Sequence, residues 1–224
     1  MILGLDVSAR AGLVTLELPG RRLLTRVSET PREHTAFLHR SLAELREESG
    51  RPWSDLERVA VTVGPGSFTG LRVGLATAKG LAFGREIEVV PLPSLVLPVL
   101  ALPGEPAPVL VCRRARGEEI WAALFPPGAE WPVWEELLDA VGLAVRAEAA
   151  AAGTRLVGEP PPGTFRGAPP LPVLPEPEPA AQLAALARLA REAGGGLRGE
   201  AVDALQPRYL LRPATTRPKR GRAR

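Results

Sequence analysis

The sequence predicts an α/β protein made of two related lobes around a cleft, the second thinner than the first. Three observations carry this. Over the first hundred residues an antiparallel meander is followed by a parallel crossover, in the order βββαβαβ. Beyond residue 108 a shorter run of strand, strand, helix, strand, helix repeats that theme. Between them lies a proline-rich stretch, Pro98 to Pro108, which places a first lobe at residues 1–103, a second at 104–213 and a tail at 214–224.

Taken in order, Ile2 to Val7 is a short apolar strand carrying Asp6 near its end, Ala9 to Gly12 a turn, Leu13 to Leu18 a second strand and Arg21 to Val27 a third. A helix starts at Thr30-Pro31, sets Thr35, Leu38, Leu42 and Leu45 on one face and stops at Gly50. Arg58 to Val63 is a β-branched strand, Ser67 to Phe83 a helix and Ile87 to Val90 the next strand. In the second half, Pro108 to Cys112 and Ile120 to Phe125 pair across a tight RRARGEE turn. The stretch from Trp134 to Ala152 reads as helical, and Arg155 to Gly158 as a short strand. Proline crowds the run from 160 to 179, where LPVL at 171–174 is a candidate edge strand. Ala180 to Ala193 is an amphipathic helix ended by Gly194 to Gly196, and Gln206 to Arg212 closes the ordered part.

The stretch Gly64 to Gly84 organises the first lobe. GPGSFTGLR leaves a buried strand and opens a helix, the setting in which free backbone N–H groups and the helix dipole favour an anion. It contains no GxxxxGK[ST], and Lys79 lies too deep in the helix to reach a phosphate at its start. Two readings stay open for the turn, a phosphate site or simply a tight entry into the helix. Within the helix Gly66, Gly70, Gly74 and Ala78 recur every fourth residue beside an apolar stripe of Phe68, Leu71 and Leu75. Each interior glycine costs a soluble helix about 1 kcal/mol relative to alanine, so close packing should compensate, against the preceding helix or another subunit.

Catalytic chemistry finds little material. Asp6 sits where actin-like ATPases and sugar kinases place a metal-supporting carboxylate, but the following DVSARAG turn carries Arg10 and lacks their Gly-Thr doublet; a capped turn reads equally well. His34 and His39 are five residues apart and do not share a helix face, so no zinc pair forms. Ser67 lies in GSFTG, not GxSxG, and Cys112, the single cysteine, reads as a buried structural thiol in a reducing compartment. No run of 18 apolar residues occurs and the first apolar segment has no basic leader, which gives a soluble cytoplasmic protein. The pI of 9.7 comes from the end of the chain: RPKRGRAR at 217–224 carries five positive charges, and removing them from the net +3 leaves −2 on the body.

ILGLDVSA, REHTAFLHRSL, VTVGPGSFTGLRVGLATAKGLA, RARGEEIWAALF and PRYLLR together resemble the TsaB (YeaZ) family over nearly the whole chain. The resemblance implies the bilobed, duplicated actin-like ATPase fold (ASKHA, ribonuclease H-like) with a reduced second lobe. It also implies a non-catalytic paralogue of TsaD that supports formation of N6-threonylcarbamoyladenosine beside the tRNA anticodon. Its implied partners are TsaD in a heterodimer, TsaE in the assembly, TsaC functionally, tRNA through the complex, and a second copy of the chain when TsaD is absent. No cofactor is expected on this chain; ATP and a metal belong to the complex through TsaD and TsaE. TsaD's HxxxH is missing here. Partner-binding residues implied on the two helices are His34, Leu38, Leu42, Phe68, Gly70, Leu71, Arg72, Gly74, Leu75 and Ala78. Asp6, Ser8, Gly64 and Gly66 are a vestigial nucleotide cradle. On this basis Gly74→Leu and Leu75→Glu are expected to abolish the heterodimer and leave the monomer folded. The chain departs from the family pattern in Arg114-Ala115-Arg116, where Asp-Ala-Arg is usual, in the proline-rich loop lining the cleft, and in the basic tail. There Arg217, Lys219, Arg220, Arg222 and Arg224 are candidate tRNA contacts. An ATP-dependent small-molecule kinase of the same fold is the alternative; a metalloprotease lacks ligands.

Overall fold

A computed structural model describes residues 1–28, 33–102, 107–167 and 169–210. Strands β1 (Ile2–Asp6), β2 (Gly12–Glu17), β3 (Leu23–Ser28), β4 (Arg58–Gly64) and β5 (Glu88–Pro93) form one sheet in the order β3-β2-β1-β4-β5. The first three are an antiparallel meander, with Ile2 opposite Glu17, and β4 and β5 add in parallel, with Ile2 opposite Arg58. Strands β6 (Val109–Arg114), β7 (Ile120–Phe125), β8 (Trp134–Leu138), β9 (Arg155–Val157) and β10 (Val173–Leu174) repeat this, order and directions alike, as β8-β7-β6-β9-β10. The duplicated α/β fold is therefore visible strand by strand, and the second copy is reduced: β9 and β10 are short, and no helix links them among the described residues.

Helices α1 (His34–Ser49) and α2 (Phe68–Ala82) cover one face of the first sheet, where Phe37, Leu38, Leu45 and Leu75 meet Leu3, Leu5, Val59 and Val61. The other face is also covered, which is why β1 and β4 read as unbroken apolar runs rather than alternating ones. After α3 (Val96–Leu100) and α4 (Ala140–Glu148), the covering element is α5 (Pro179–Glu192), which returns from the second half of the chain onto the first sheet. Leu183, Leu186 and Leu189 sit in one core with Ala60 and Val90 of the first sheet and Val109, Val111 and Trp121 of the second. Gly4 leaves the space Leu186 occupies: a Cβ there would lie 2.6 Å from Leu186 Cγ. Arg58 fixes the far end of α5, its Nη1 donating to the carbonyls of Ala190, Arg191 and Ala193 and its Nη2 pairing with Glu88. A cation at a helix C-terminus also meets the negative end of the dipole.

The stretch from Trp134 does not begin as a helix. Trp134 to Leu138 pair with β7 residue by residue, and the helix starts only after Asp139, whose carboxylate accepts from Gly142 N at 2.7 Å. Glutamate and leucine favour helix intrinsically, yet β7 needs a partner on that edge, and tertiary pairing prevails. α1 is present from His34; its expected start at Thr30-Pro31 falls outside the described residues.

Candidate functional site

The glycine turn sits at the C-terminal ends of β1 and β4, and the chain itself fills it. Ser67 N donates to Ser8 O at 2.7 Å, Gly70 N to the Ser67 hydroxyl at 3.2 Å and Leu71 N to Ser67 O at 2.9 Å. Two of the N–H groups that could cradle a phosphate, those of Ser67 and Gly70, are thus engaged within the chain, and Leu71 N makes the first regular bond of the helix. Gly64 holds φ +126° and the Arg208 carbonyl stands where its Cβ would be, while a Cβ on Gly66 would lie 2.5 Å from Ser8 O. These glycines are required by the close approach of two backbone segments.

Asp6 is buried beneath the turn. Its Oδ1 accepts from Ser8 N at 2.9 Å, Ser8 Oγ at 2.6 Å and Thr62 Oγ1 at 2.7 Å, so Asp6, Ser8 and Thr62 form one closed knot. His34, the first residue of α1, is 7% exposed, its Nδ1 has no hydrogen-bond partner, and burial pulls its pKa below 6.5 against the opposing charge of Asp6. Because the folded state holds this proton less tightly than the unfolded chain, the His34 contribution to stability is complete above pH 6.5 and is lost as pH falls through the lower folded value. Urea midpoints should therefore drop more steeply between pH 7 and pH 5 for the wild type than for His34→Gln. Parallel profiles would show that His34 titrates as it does in the unfolded chain. Among the described residues no group of three His, Cys, Asp or Glu could hold a metal ion. Cys112 is buried and its pKa is pushed up to about 12 by burial, which keeps it an unreactive thiol.

The ten implied partner-binding residues divide sharply. Phe68 and Arg72 are exposed and Leu42 half-buried; His34, Leu38, Gly70, Leu71, Gly74, Leu75 and Ala78 are buried. The glycine stripe faces the chain's own sheet: a Cβ on Gly70 would overlap Val7 O, and one on Gly74 would lie 3.0 Å from Val7 Cγ2 and 3.6 Å from Val61 Cγ2. Its close neighbours are Val7, just past β1, and Val61 of β4, not another helix. Gly74→Leu and Leu75→Glu consequently strike the core, and the expectation that they leave the monomer folded is corrected. The surface that α2 turns outward instead carries Phe68, Thr69, Arg72, Ala76, Gly80 and, just beyond its end, Phe83 at 81% exposure. The tail residues Arg217, Lys219, Arg220, Arg222 and Arg224 lie outside the described residues.

Sequence reasoning placed Gln206 to Arg212 at the close of the ordered part but missed what residues 197–210 pack against. Leu197 bridges to Val89 at the edge of the first sheet, α6 (Glu200–Ala204) lies on α2 with Lys79 Nζ donating to Asp203 O at 2.7 Å, and Gln206–Leu210 then crosses the glycine turn. Arg208 N donates to Val63 O at 2.6 Å. Tyr209 stacks on Phe68 with ring centroids 5.0 Å apart and accepts from Arg72 Nε at 2.9 Å. The available signal was the PRYLLR motif, which has no periodicity to give it a structural role. A separate concavity of about 640 Å³ opens at the opposite ends of the strands, where Arg58, Arg198, Glu86 and Glu88 already pair with one another.

Two sheets of identical topology, covered by helices and joined through a shared core, with a glycine turn closed by its own chain, define a protein of the duplicated actin-like ATPase fold. The model of the family described as TsaD, tRNA N6-adenosine threonylcarbamoyltransferase, matches residues 28–159, more than half of the chain. The tRNA threonylcarbamoyladenosine biosynthesis protein TsaB of Haemophilus influenzae is 38% identical over 95 residues, 42% of this chain and 39% of that one. Its Escherichia coli counterpart is 34% identical over 95 residues, 42% of this chain and 41% of that one. The chain thus aligns with about two fifths of the length of these curated relatives. A crystal structure from Pseudomonas aeruginosa, of a protein with similarity to the peptidase YEAZ, superposes with a TM-score of 0.76 at 26% identity, covering 94% of this chain and 99% of that one. The chain belongs to the TsaD family, and within it to the TsaB (YeaZ) branch. No helix among the described residues is long and apolar enough to cross a membrane.

Proposed function

We propose that this chain is a non-catalytic cytoplasmic subunit that pairs with a TsaD-type paralogue and supports it in forming N6-threonylcarbamoyladenosine in tRNA. The observation that carries the reading is the contrast between two surfaces. The glycine turn, where a nucleotide-using relative would hold phosphate, is occupied by Ser8 and Arg208, whereas the outer face of α2 presents Phe68, Arg72 and Phe83 with nothing large between them. A chain that has filled its own cleft and left a helix face open is suited to support rather than turnover. TsaE joins the assembly, TsaC supplies the activated threonylcarbamoyl group, and tRNA is reached through the complex. Reconstitution with TsaC, TsaD, TsaE, ATP and unmodified tRNA tests this: modification should depend on adding this chain, and full modification without it would refute the role. The basic tail contributes a salt-sensitive contact to tRNA; deleting residues 217–224 should weaken tRNA binding and flatten its salt dependence.

A further inference from the structure

The segment Gln206–Leu210 ties three elements that are distant in sequence. Its backbone is fastened to the end of β4 by Arg208 N and Val63 O. The Arg208 guanidinium reaches the second sheet, with Nη2 3.0 Å from Glu135 Oε2 on β8 and the cation 5.7 Å from the Trp131 ring centroid. Tyr209, the next residue, reaches α2. Glu135 faces inward opposite Ala123, its side chain is only 3% exposed and neither carboxylate oxygen accepts a hydrogen bond, so the charge of Arg208 is its compensation. Burial pushes the Glu135 pKa up and Arg208 pulls it back. A carboxylate in that position holds its cation in place, because moving Arg208 away would leave a buried charge unpaired.

At the other end of this strap, Arg72 is fixed in an unusual way for an exposed residue. Its guanidinium lies 3.8 Å from the Phe68 ring centroid and 5.9 Å from that of Tyr209, and Nε is oriented by the Tyr209 hydroxyl. The two Nη groups hydrogen-bond nothing among the described residues, and no carboxylate among them pairs with this arginine. A planar cation whose rotamer is already set binds a carboxylate with little further ordering, and the match is bidentate.

We propose that Arg72, clamped by Phe68 and Tyr209, anchors an acidic side chain on the partner subunit, and that Glu135 is a positioning residue for it, acting through Arg208 and the Gln206–Leu210 strap. This rests on the pairing proposed above and goes further in naming the chemistry of the contact and a control point in the other lobe. Arg72 makes the contact; Tyr209 sets its direction; Glu135 touches no partner.

The test is calorimetric titration of the TsaD-type paralogue, at low and moderate salt, with the wild type, Arg72→Ala, Tyr209→Phe, Glu135→Gln and the double variant Arg72→Ala/Glu135→Gln. Arg72→Ala should weaken binding about 30-fold and flatten its salt dependence, the size expected of a central interface arginine. Tyr209→Phe, which removes a single hydroxyl, and Glu135→Gln should each weaken it by roughly 3- to 10-fold, and Glu135→Gln should do nothing further once Arg72 is alanine. The melting temperature of Glu135→Gln should hold or rise, since a neutral isostere replaces a buried charge. Unchanged affinity for Arg72→Ala overturns the proposal, as does an undiminished effect of Glu135→Gln in the double variant. Should Glu135→Gln not fold, Tyr209→Phe carries the same comparison. If Arg72→Ala breaks only self-association of this chain, the anchor serves a second copy and the proposal also falls. Failure of the wild type to bind the paralogue would sink the pairing reading instead. Hydrogen exchange then judges the strap alone: Glu135→Gln should expose the Arg208 amide, and unchanged protection would remove the coupling.

Discussion

Replacing Gly70 by alanine is expected to destabilise the protein by about 3 kcal/mol, while the same change at Gly80 in the same helix stabilises it by up to about 1 kcal/mol. Alanine is the better helix former, so both substitutions begin with the same gain. At Gly70 that gain is overwhelmed, because the new methyl group would overlap Val7 O, a backbone atom held in the chain leaving β1 and unable to swing aside as a side-chain tip could. Relief requires α2 to lift from the sheet, and with it Leu71, Leu75 and Ala78, all buried beneath the helix. At Gly80 no atom of the described residues beyond the helix's own backbone and its chain neighbours lies within 4 Å of the added carbon, and the residue is exposed. For a chain of this size a loss of about 3 kcal/mol lowers the melting temperature by roughly 6–12 °C. Thermal melts of the two variants beside the wild type measure both signs together. A Gly70→Ala protein melting at or above the wild type would mean that α2 does not rest on Val7.

The same helix shows what was legible in the sequence. Its existence and its start near Ser67 follow from strong local signals, a β-branched strand, a glycine turn and helical periodicity, and the structure adds that the Ser67 hydroxyl caps it. Which of its small residues faces what was a harder question. Gly70, Gly74 and Ala78 form one row and Ala76 and Gly80 another, and spacing by itself admits a neighbouring helix at either. Leu71 and Leu75 flank the first row, and an apolar stripe beside a small-residue row marks the side buried in the chain's own core. α5 is a second case, since its amphipathic pattern states that one face is buried but not that the burying surface is a sheet more than a hundred residues earlier. β8 is a third: WEELL has the composition of a helix, and only the unpaired edge of β7 makes it a strand. Gln206–Leu210 is a fourth. Its contacts are one backbone bond to β4 and single side chains reaching separate elements, and no periodicity announces them.

Under the proposed pairing, Gly80→Leu should leave the monomer folded and weaken its binding to the TsaD-type paralogue by at least about 30-fold, a hot-spot effect of roughly 2 kcal/mol. Phe68, Arg72, Ala76 and Gly80 follow one another at every fourth residue along the outer side of α2, with Phe83 81% exposed just past its end. A glycine in the exposed interior of a helix is unfavourable by about 1 kcal/mol, and among the described residues nothing packs against Gly80 to offset it. A helix from another subunit could lie close over Ala76 and Gly80, between the aromatic side chains of Phe68 and Phe83. Leucine at position 80 keeps helix propensity high but raises a ridge where the two backbones approach, so the interaxial distance must grow and the aromatic contacts on both sides loosen together. The contrast with Gly74→Leu is decisive. That substitution lies on the inner side, against Val7 and Val61, and should cost the fold before it costs the complex. Melting curves and affinities measured on both variants separate the two sides of the helix. If the folded Gly80→Leu chain binds the paralogue as tightly as the wild type, the partner does not dock on this face.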